Sequence, residues 1–232
     1  SKVRVACPCP SWGLPTSERS PPPRVRTVPG ACSAPAGVAP LTPTVKLVSV
    51  ASAVPRNRID QLDAAALAQR AFSARYDEFE RLARVFETSG IRHRYAVCPP
   101  EWYLQPIGWS ERNAAYLQGA CDLFVRVASK ALAEAGLLAS AVDTVVTVSS
   151  TGIATPSLEA RAADRIGFRP DVERIPVFGL GCAGGVSGLA LAARLAKARP
   201  GSIVLLVTVE LCTLSFRMTP RCSSVRTTCG AS

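Results

Sequence analysis

The chain has 232 residues, long enough for one large domain or two small ones with a buried core, and its 48% hydrophobic, 19% charged composition is that of a globular protein. No membrane span and no signal peptide are expected. Its net charge of +10 raises the question of nucleic acid, but residues 1–44 carry +4 of it and residues 217–232 carry +3, and the stretch between shows no basic stripe interleaved with aromatics, so nucleic-acid binding is set aside.

Residues 1–44 hold roughly half of the 19 prolines, including Pro21-Pro22-Pro23, and have neither helical nor strand periodicity. Such a segment buries too little apolar surface to offset its ordering entropy, so a disordered extension is expected. From Val45 the character changes. The apolar run Val45 to Ala51 predicts a buried strand, ended by Pro55. Apolar residues from Leu62 to Phe86 recur near helical spacing, predicting a helix from Asp60 that stops before Gly90. A strand is expected over residues 91–97. Ser110 is the expected cap of a long helix that runs to Ala135 and is closed by Gly136.

Next come an expected strand at 142–148, a helix near 157–166, a strand near 175–178, a helix near 183–198 and a strand at 203–209. Alternating strands and helices in this order predict a layered α/β sheet. After Arg217 the pattern breaks. Residues 218–232 are rich in Arg, Cys, Ser and Thr without an apolar period, and read as a tail unrelated to the preceding fold.

Nine cysteines are an odd number, scattered, and none has the paired spacing of a zinc site; Cys7-Pro8-Cys9 is too tight for one. Reduced thiols in a cytosolic, metal-free protein are expected. One of them stands apart. In Phe178-Gly179-Leu180-Gly181-Cys182-Ala183-Gly184-Gly185 a strand ends, a glycine-rich turn follows and a cysteine sits where a helix starts. Glycine permits the sharp turn and close approach of a substrate to the backbone. A thiol at a helix N-terminus feels the positive end of the helix dipole, and free N–H groups there can hold the oxyanion of a thioester under attack. The same residues would also fit a buried structural cysteine beside glycines used for close packing.

The segment Gly181-Cys182-Ala183-Gly184-Gly185 resembles the nucleophile segment of type III polyketide synthases, the chalcone and stilbene synthase family. The resemblance extends in order through Gly90-Ile91-Arg92-His93-Arg94-Tyr95, Glu101-Trp102-Tyr103, Trp109-Ser110-Glu111-Arg112-Asn113, Thr151-Gly152-Ile153-Ala154-Thr155-Pro156-Ser157 and Glu210 to Arg217. It covers residues 45–217 and is closer to the bacterial branch than to the plant enzymes. Ketoacyl synthase III enzymes are the alternative condensing family; they share the fold and the cysteine but usually lack the Ala-Gly-Gly sequel.

The resemblance implies a thiolase-like fold, of which residues 45–217 would form the N-terminal half of an αβαβα layered sandwich. It implies an acyltransferase in which Cys182 takes a starter acyl group from a CoA thioester and malonyl-CoA then condenses by decarboxylation, with both thioesters as substrates and no cofactor. It implies that Ser150, Thr151, Cys212 and Ser215 line the cavity where the chain grows. Thr155 would reach into the neighbouring subunit's cavity, which implies a homodimer. Arg81 and Arg84 match basic positions that hold CoA, while a third such position is Thr88 here. Bland readings stand beside these: Ser150 and Thr151 as turn caps, Cys212 as core filler, and the two arginines as an ordinary solvated helix face.

The only histidine, His93, precedes Cys182 and lies in an expected strand between Arg92 and Arg94, where it reads as a partly exposed strand residue. The family's catalytic His and Asn follow the nucleophile, and this sequence has no histidine there. The chain is therefore expected to be incompetent for condensation by itself. Two further readings are an inactive remnant and a non-catalytic partner of a full-length synthase.

Overall fold

In the computed structural model, the described residues are 44–73 and 78–216; the expected disordered extension up to residue 43 and the tail from 218 lie outside them. Three parallel strands organise the fold: β3 (Thr144–Val148) at the centre, β4 (Glu173–Val177) on one side and β5 (Val204–Thr208) on the other. Their registers pair Val146 with Ile175 and with Leu206. Every residue of β3 is buried, as a central parallel strand covered on both faces requires. Helix α5 (Leu158–Ile166) connects β3 to β4, and α6 (Gly184–Ala198) connects β4 back across β3 to β5. Parallel crossovers are right-handed, so two crossovers running in opposite directions place their helices on opposite faces of the sheet.

Side-chain alternation agrees. Val145, Leu205 and Val207 join a core with Phe124, Ala128 and Leu132 of α4 (Trp109–Ala135) and with Leu158 and Ala162 of α5. Val148 and Leu206 point the other way, onto α6. Glycines let α6 lie close there: a Cβ at Gly184 would come within 2.6 Å of Val148, and one at Gly188 within 2.8 Å of Val148 and 3.0 Å of Leu206. With Ala192 they form a small-residue stripe at helical spacing. The other side of α6 is apolar as well, yet Val186 is 78% and Leu189 52% exposed.

The elements before α4 share that core through Ile59, Ala96 and Tyr103. A two-stranded antiparallel ribbon pairs β1 (Asn57–Asp60) with β2 (His93–Ala96), and α1 (Gln61–Phe72), α2 (Phe79–Ala83) and α3 (Val85–Thr88) lie between them in sequence.

The expected elements from residue 91 onward are found within a few residues of their predicted ends, and Gly136 (φ +66°) and Gly167 (φ +87°) close α4 and α5 in the left-handed conformation. Three expectations are corrected. Val45 to Ala51 is not a buried strand: residues 44–55 form no ladder, and Leu47 and Val50 are 71% and 75% exposed. Its apolar run finds no strand beside it among the described residues, and one of its ties is Ser49 Oγ donating to Ala131 O at 2.8 Å. The helix expected from Asp60 to Phe86 is broken. Leu62 and Leu82 are exposed, whereas Phe72 and Phe79 bring their rings to 6.4 Å across the break, so the apolar residues do not share one stripe. Ser110 does not cap α4; Gly108 is the cap and Ser110 lies inside the first turn. The ribbon strand β1, with Ile59 as its one buried residue, was not anticipated.

Candidate active site

The carboxyl ends of β3, β4 and β5 all open onto one edge of the sheet. Consecutive crossovers leave β3 on opposite sides, and in open α/β sheets such a switch point leaves a crevice between the diverging loops. Cys182 sits there. It lies in a 3₁₀ turn, Gly181–Ala183, between β4 and the start of α6. Gly179 (φ +83°) and Gly181 (φ +51°) occupy left-handed conformations with open space where a Cβ would point. These two positions let the strand turn sharply into the helix. The thiol is free and exposed. A buried structural role is therefore overturned, and the sulfur faces solvent at the amino end of a 15-residue helix.

Three successive hydroxyls leave the end of β3. Ser149 donates to Val209 O at 2.6 Å and is met by Tyr116 Oη at 2.7 Å. Because the serine proton is engaged with Val209, Tyr116 is the donor of that pair. Burial pushes the Tyr116 phenol above its ordinary range, the Ser149 bond offsetting part of the effect. Ser150 Oγ accepts from Gly181 N–H at 3.1 Å, and Thr151 Oγ1 accepts from Leu211 N–H at 2.9 Å. Ser150 thus reaches the nucleophile turn and Thr151 reaches the loop after β5. Cys212 and Ser215 lie in that loop, in the 3₁₀ turn Cys212–Ser215, and both are exposed. Cys212 is not core filler. Thr151 and Ser215 share a small cavity of about 30 Å³ with Trp109, Arg112, Asn113 and Leu214.

Two residues of the Trp109-Ser110-Glu111-Arg112-Asn113 motif have a structural role that the sequence did not reveal. Arg112 is 4% exposed and donates from Nε to Ile107 O at 3.1 Å and from Nη1 to Leu214 O at 3.0 Å and to Phe216 O, with the Trp102 ring 5.5 Å from its guanidinium carbon. Asn113 exchanges two bonds with the backbone of Ile153, at 2.8 and 3.0 Å. Tyr103 Oη meets Thr213 Oγ1 at 3.2 Å and accepts from Cys98 N–H at 3.3 Å. Burial raises the Tyr103 phenol and the Cys98 thiol above their ordinary values. Together these groups hold the loops after β3 and β5 against α4.

The other expected residues are elsewhere. Thr155, exposed, lies in the loop before α5, where its carbonyl and that of Pro156 accept from Arg161 at 2.8 and 2.9 Å. Arg81 and Arg84 are exposed on the α2–α3 segment, which packs on α1, and Arg81 is ion-paired with Glu78. His93 is exposed at the start of β2 with its ring edge-on to Tyr95 at 5.3 Å. No helix among the described residues is long and apolar enough to cross a membrane.

With that geometry in place, comparison with known proteins is decisive. The family profile "Chalcone and stilbene synthases, N-terminal domain" matches residues 41–231, which runs past the break in pattern at Arg217. The chain belongs to the chalcone and stilbene synthase family. It is 37% identical over 136 residues to the 1,3,6,8-tetrahydroxynaphthalene synthase of Streptomyces peucetius subsp. caesius, covering 59% of this chain and 36% of that enzyme. To the Streptomyces griseus enzyme of the same name it is 34% identical over 169 residues, 73% of this chain and 45% of the relative. Its structure superposes on the crystal structure of the Streptomyces coelicolor A3(2) enzyme, a bacterial type III polyketide synthase, with a TM-score of 0.71 and 31% identity, over 76% of this chain and 50% of the other. The fold is thiolase-like, and the match is of the bacterial type III kind. The chain spans about half the length of the relatives it matches, or less.

Proposed function

We propose that this family member is an acyl acceptor in which Cys182 is loaded from an acyl-CoA thioester, the first half of a type III polyketide synthase cycle. The observation that supports the reading is the exposed thiol of Cys182 in a glycine turn at the amino end of α6, on the carboxyl edge of a parallel sheet. In the step itself the Cys182 thiolate attacks the thioester carbonyl, a new C–S bond forms, and the tetrahedral oxyanion collapses to release CoA thiolate, which takes up a proton. The α6 dipole favours the oxyanion. Arg81 and Arg84 are proposed to hold the CoA phosphates, Arg81 after exchange of Glu78 for the anion.

Extension asks more. Decarboxylation of a malonyl thioester builds negative charge on the thioester oxygen, and loss of one donor to such an oxyanion typically costs about 100- to 1000-fold in rate. The family supplies a His and an Asn; the one histidine here is on β2. This 232-residue chain by itself is therefore proposed to load but not to extend. A full-length type III synthase assembles as a homodimer in this reading, with Thr155 at the subunit contact. A second reading, a partner subunit of a complete synthase, is favoured by the exposed apolar side of α6.

Intact-mass measurement after incubation with an acyl-CoA tests loading: a shift of one acyl group is expected in the wild type and none in Cys182→Ala, and its absence in the wild type would refute the reading. Adding malonyl-CoA is expected to yield no pyrone or resorcinol above the Cys182→Ala control. Product above that control would show that the chain supplies its own extension machinery.

A further inference from the structure

We infer that Ser150 is a positioning residue whose Oγ, by accepting the Gly181 N–H, sets the place of the Cys182 thiol above the carboxyl edge of the sheet. The inference rests on the reading of Cys182 as the acyl-carrying nucleophile.

The pairing of β3 with β4 and β5 stops at Val148, followed by one closing bond on each side: Ser149 N–H to Val177 O at 3.2 Å and Val209 N–H to Val148 O at 2.9 Å. Beyond that point the three chains diverge, and the side chains of Ser149, Ser150 and Thr151 continue the cross-links that main-chain bonds have given up. Ser149 and Thr151 both tie to the β5 side. Of the three side chains only that of Ser150 ties to the β4 side, one residue before Cys182.

That tie acts on an otherwise permissive segment. Gly179 and Gly181 are left-handed, with nothing within 4 Å of a notional Cβ at either. Leu180 between them and Phe178 before them are exposed. Glycines lose more conformational freedom on ordering than other residues, so a turn built on two of them needs an external restraint to hold one geometry. From the C-terminal side the restraint is α6, pinned by Gly184 and Gly188 against Val148 and Leu206. From the sheet side it is Ser150. With both in place the sulfur is held at the amino end of the helix, where the dipole acts most strongly and falls off within a turn. The serine hydroxyl keeps its own proton to donate.

The test reads the thiol and not the product. Cys182 alkylation by limiting iodoacetamide is followed by peptide mapping from pH 6 to 10, with Cys212 in the same molecule as the internal reference. Ser150→Ala is expected to lower the Cys182 rate relative to Cys212 by about three- to tenfold, the worth of one hydrogen bond. Ser150→Thr, which keeps an acceptor, is expected to restore it. Thr144→Val removes a β3–β4 hydrogen bond at the other end of the strand, from Thr144 Oγ1 to Glu173 at 2.8 Å. It is expected to leave the ratio unchanged, which separates positioning from general loosening. Equal ratios in wild type and Ser150→Ala, a loss that Thr does not restore, or the same loss in Thr144→Val would each overturn the inference. Amide exchange at Gly181 in the wild type tests it without any variant: protection is expected, and exchange at the rate of a free amide overturns it. A wild type whose Cys182 alkylates but takes no acyl group would refute the proposed function while leaving this inference standing.

Discussion

Replacing Arg112 by alanine should unfold more of this protein than any single change to Cys182. The guanidinium is almost wholly buried and serves the carbonyls of Ile107, Leu214 and Phe216. Truncation removes hydrogen bonds from a charged donor, each worth about 1.5–3 kcal/mol, and leaves the carbonyls that it served without their donor. It also removes the packing of the guanidinium on Trp102. Simple addition would overshoot because the groups relax together, so a loss of about 3–5 kcal/mol is expected, the upper range for single substitutions. Arg112→Lys, with a point donor in place of a planar fork, should recover less than half. Urea unfolding followed by far-UV circular dichroism measures the loss from the midpoint shift at constant slope. A companion measurement is the alkylation rate of Cys212, which should rise as its turn comes loose. A destabilisation below about 1 kcal/mol would refute the assignment, because a buried three-carbonyl clamp cannot be worth so little.

A methyl group added by Gly152→Ala would overlap the ring of Tyr116, itself buried, and should cost about 1–3 kcal/mol in the same urea experiment while breaking the Tyr116–Ser149 bond; an unchanged midpoint would refute that packing. Asp143 has its carboxyl held below the usual range, chiefly by the bond from Ile203 N–H at 2.8 Å and then by Arg169 and Arg199. A lowered folded pKa stabilises above the unfolded carboxylate value and is lost as pH falls through the folded one. Wild type should therefore lose stability below about pH 4 more steeply than Asp143→Asn, and parallel acid titrations of the two would contradict this.

The central sheet was legible because its signals are local. Thr144 to Val148 is an uninterrupted buried run, α4 and α5 end on glycines that can turn left-handed, and the strand–glycine–cysteine–helix order at 173–184 carries its own geometry. What could not be read depends on distant partners. Val45 to Ala51 has the apolar run of a buried strand, but a strand exists only beside another, and none pairs with it among the described residues. The reverse holds for β1, whose sequence Asn57-Arg58-Ile59-Asp60 offers one apolar residue yet pairs in register with His93–Ala96. Arg112 shows the same dependence at the site. A charged residue in the first turn of a long helix reads as solvated, and burial comes only from segments at 107 and 214–216 closing over it.

Helix α6 joins the two kinds of information. Its stripe of Gly184, Gly188 and Ala192 is smaller than core packing alone would select, since leucines there would bury more area. The small residues trade that area for proximity, and proximity brings the helix start down to the level of the strand ends, where the Cys182 turn meets Ser150. Larger residues on the stripe would lift α6 away from Val148 and Leu206 and carry the thiol out of reach of the Ser150 tether. The opposite side has no such constraint and carries Val186 and Leu189, both exposed. A helix apolar on both sides is the pattern of a buried one, so its sequence is fitted to two contacts, of which the sheet supplies the inner. The inner contact alone fixes the height of the nucleophile. It follows that the geometry of Cys182 is set by the sheet, the glycine stripe and Ser150, all within residues 144–208.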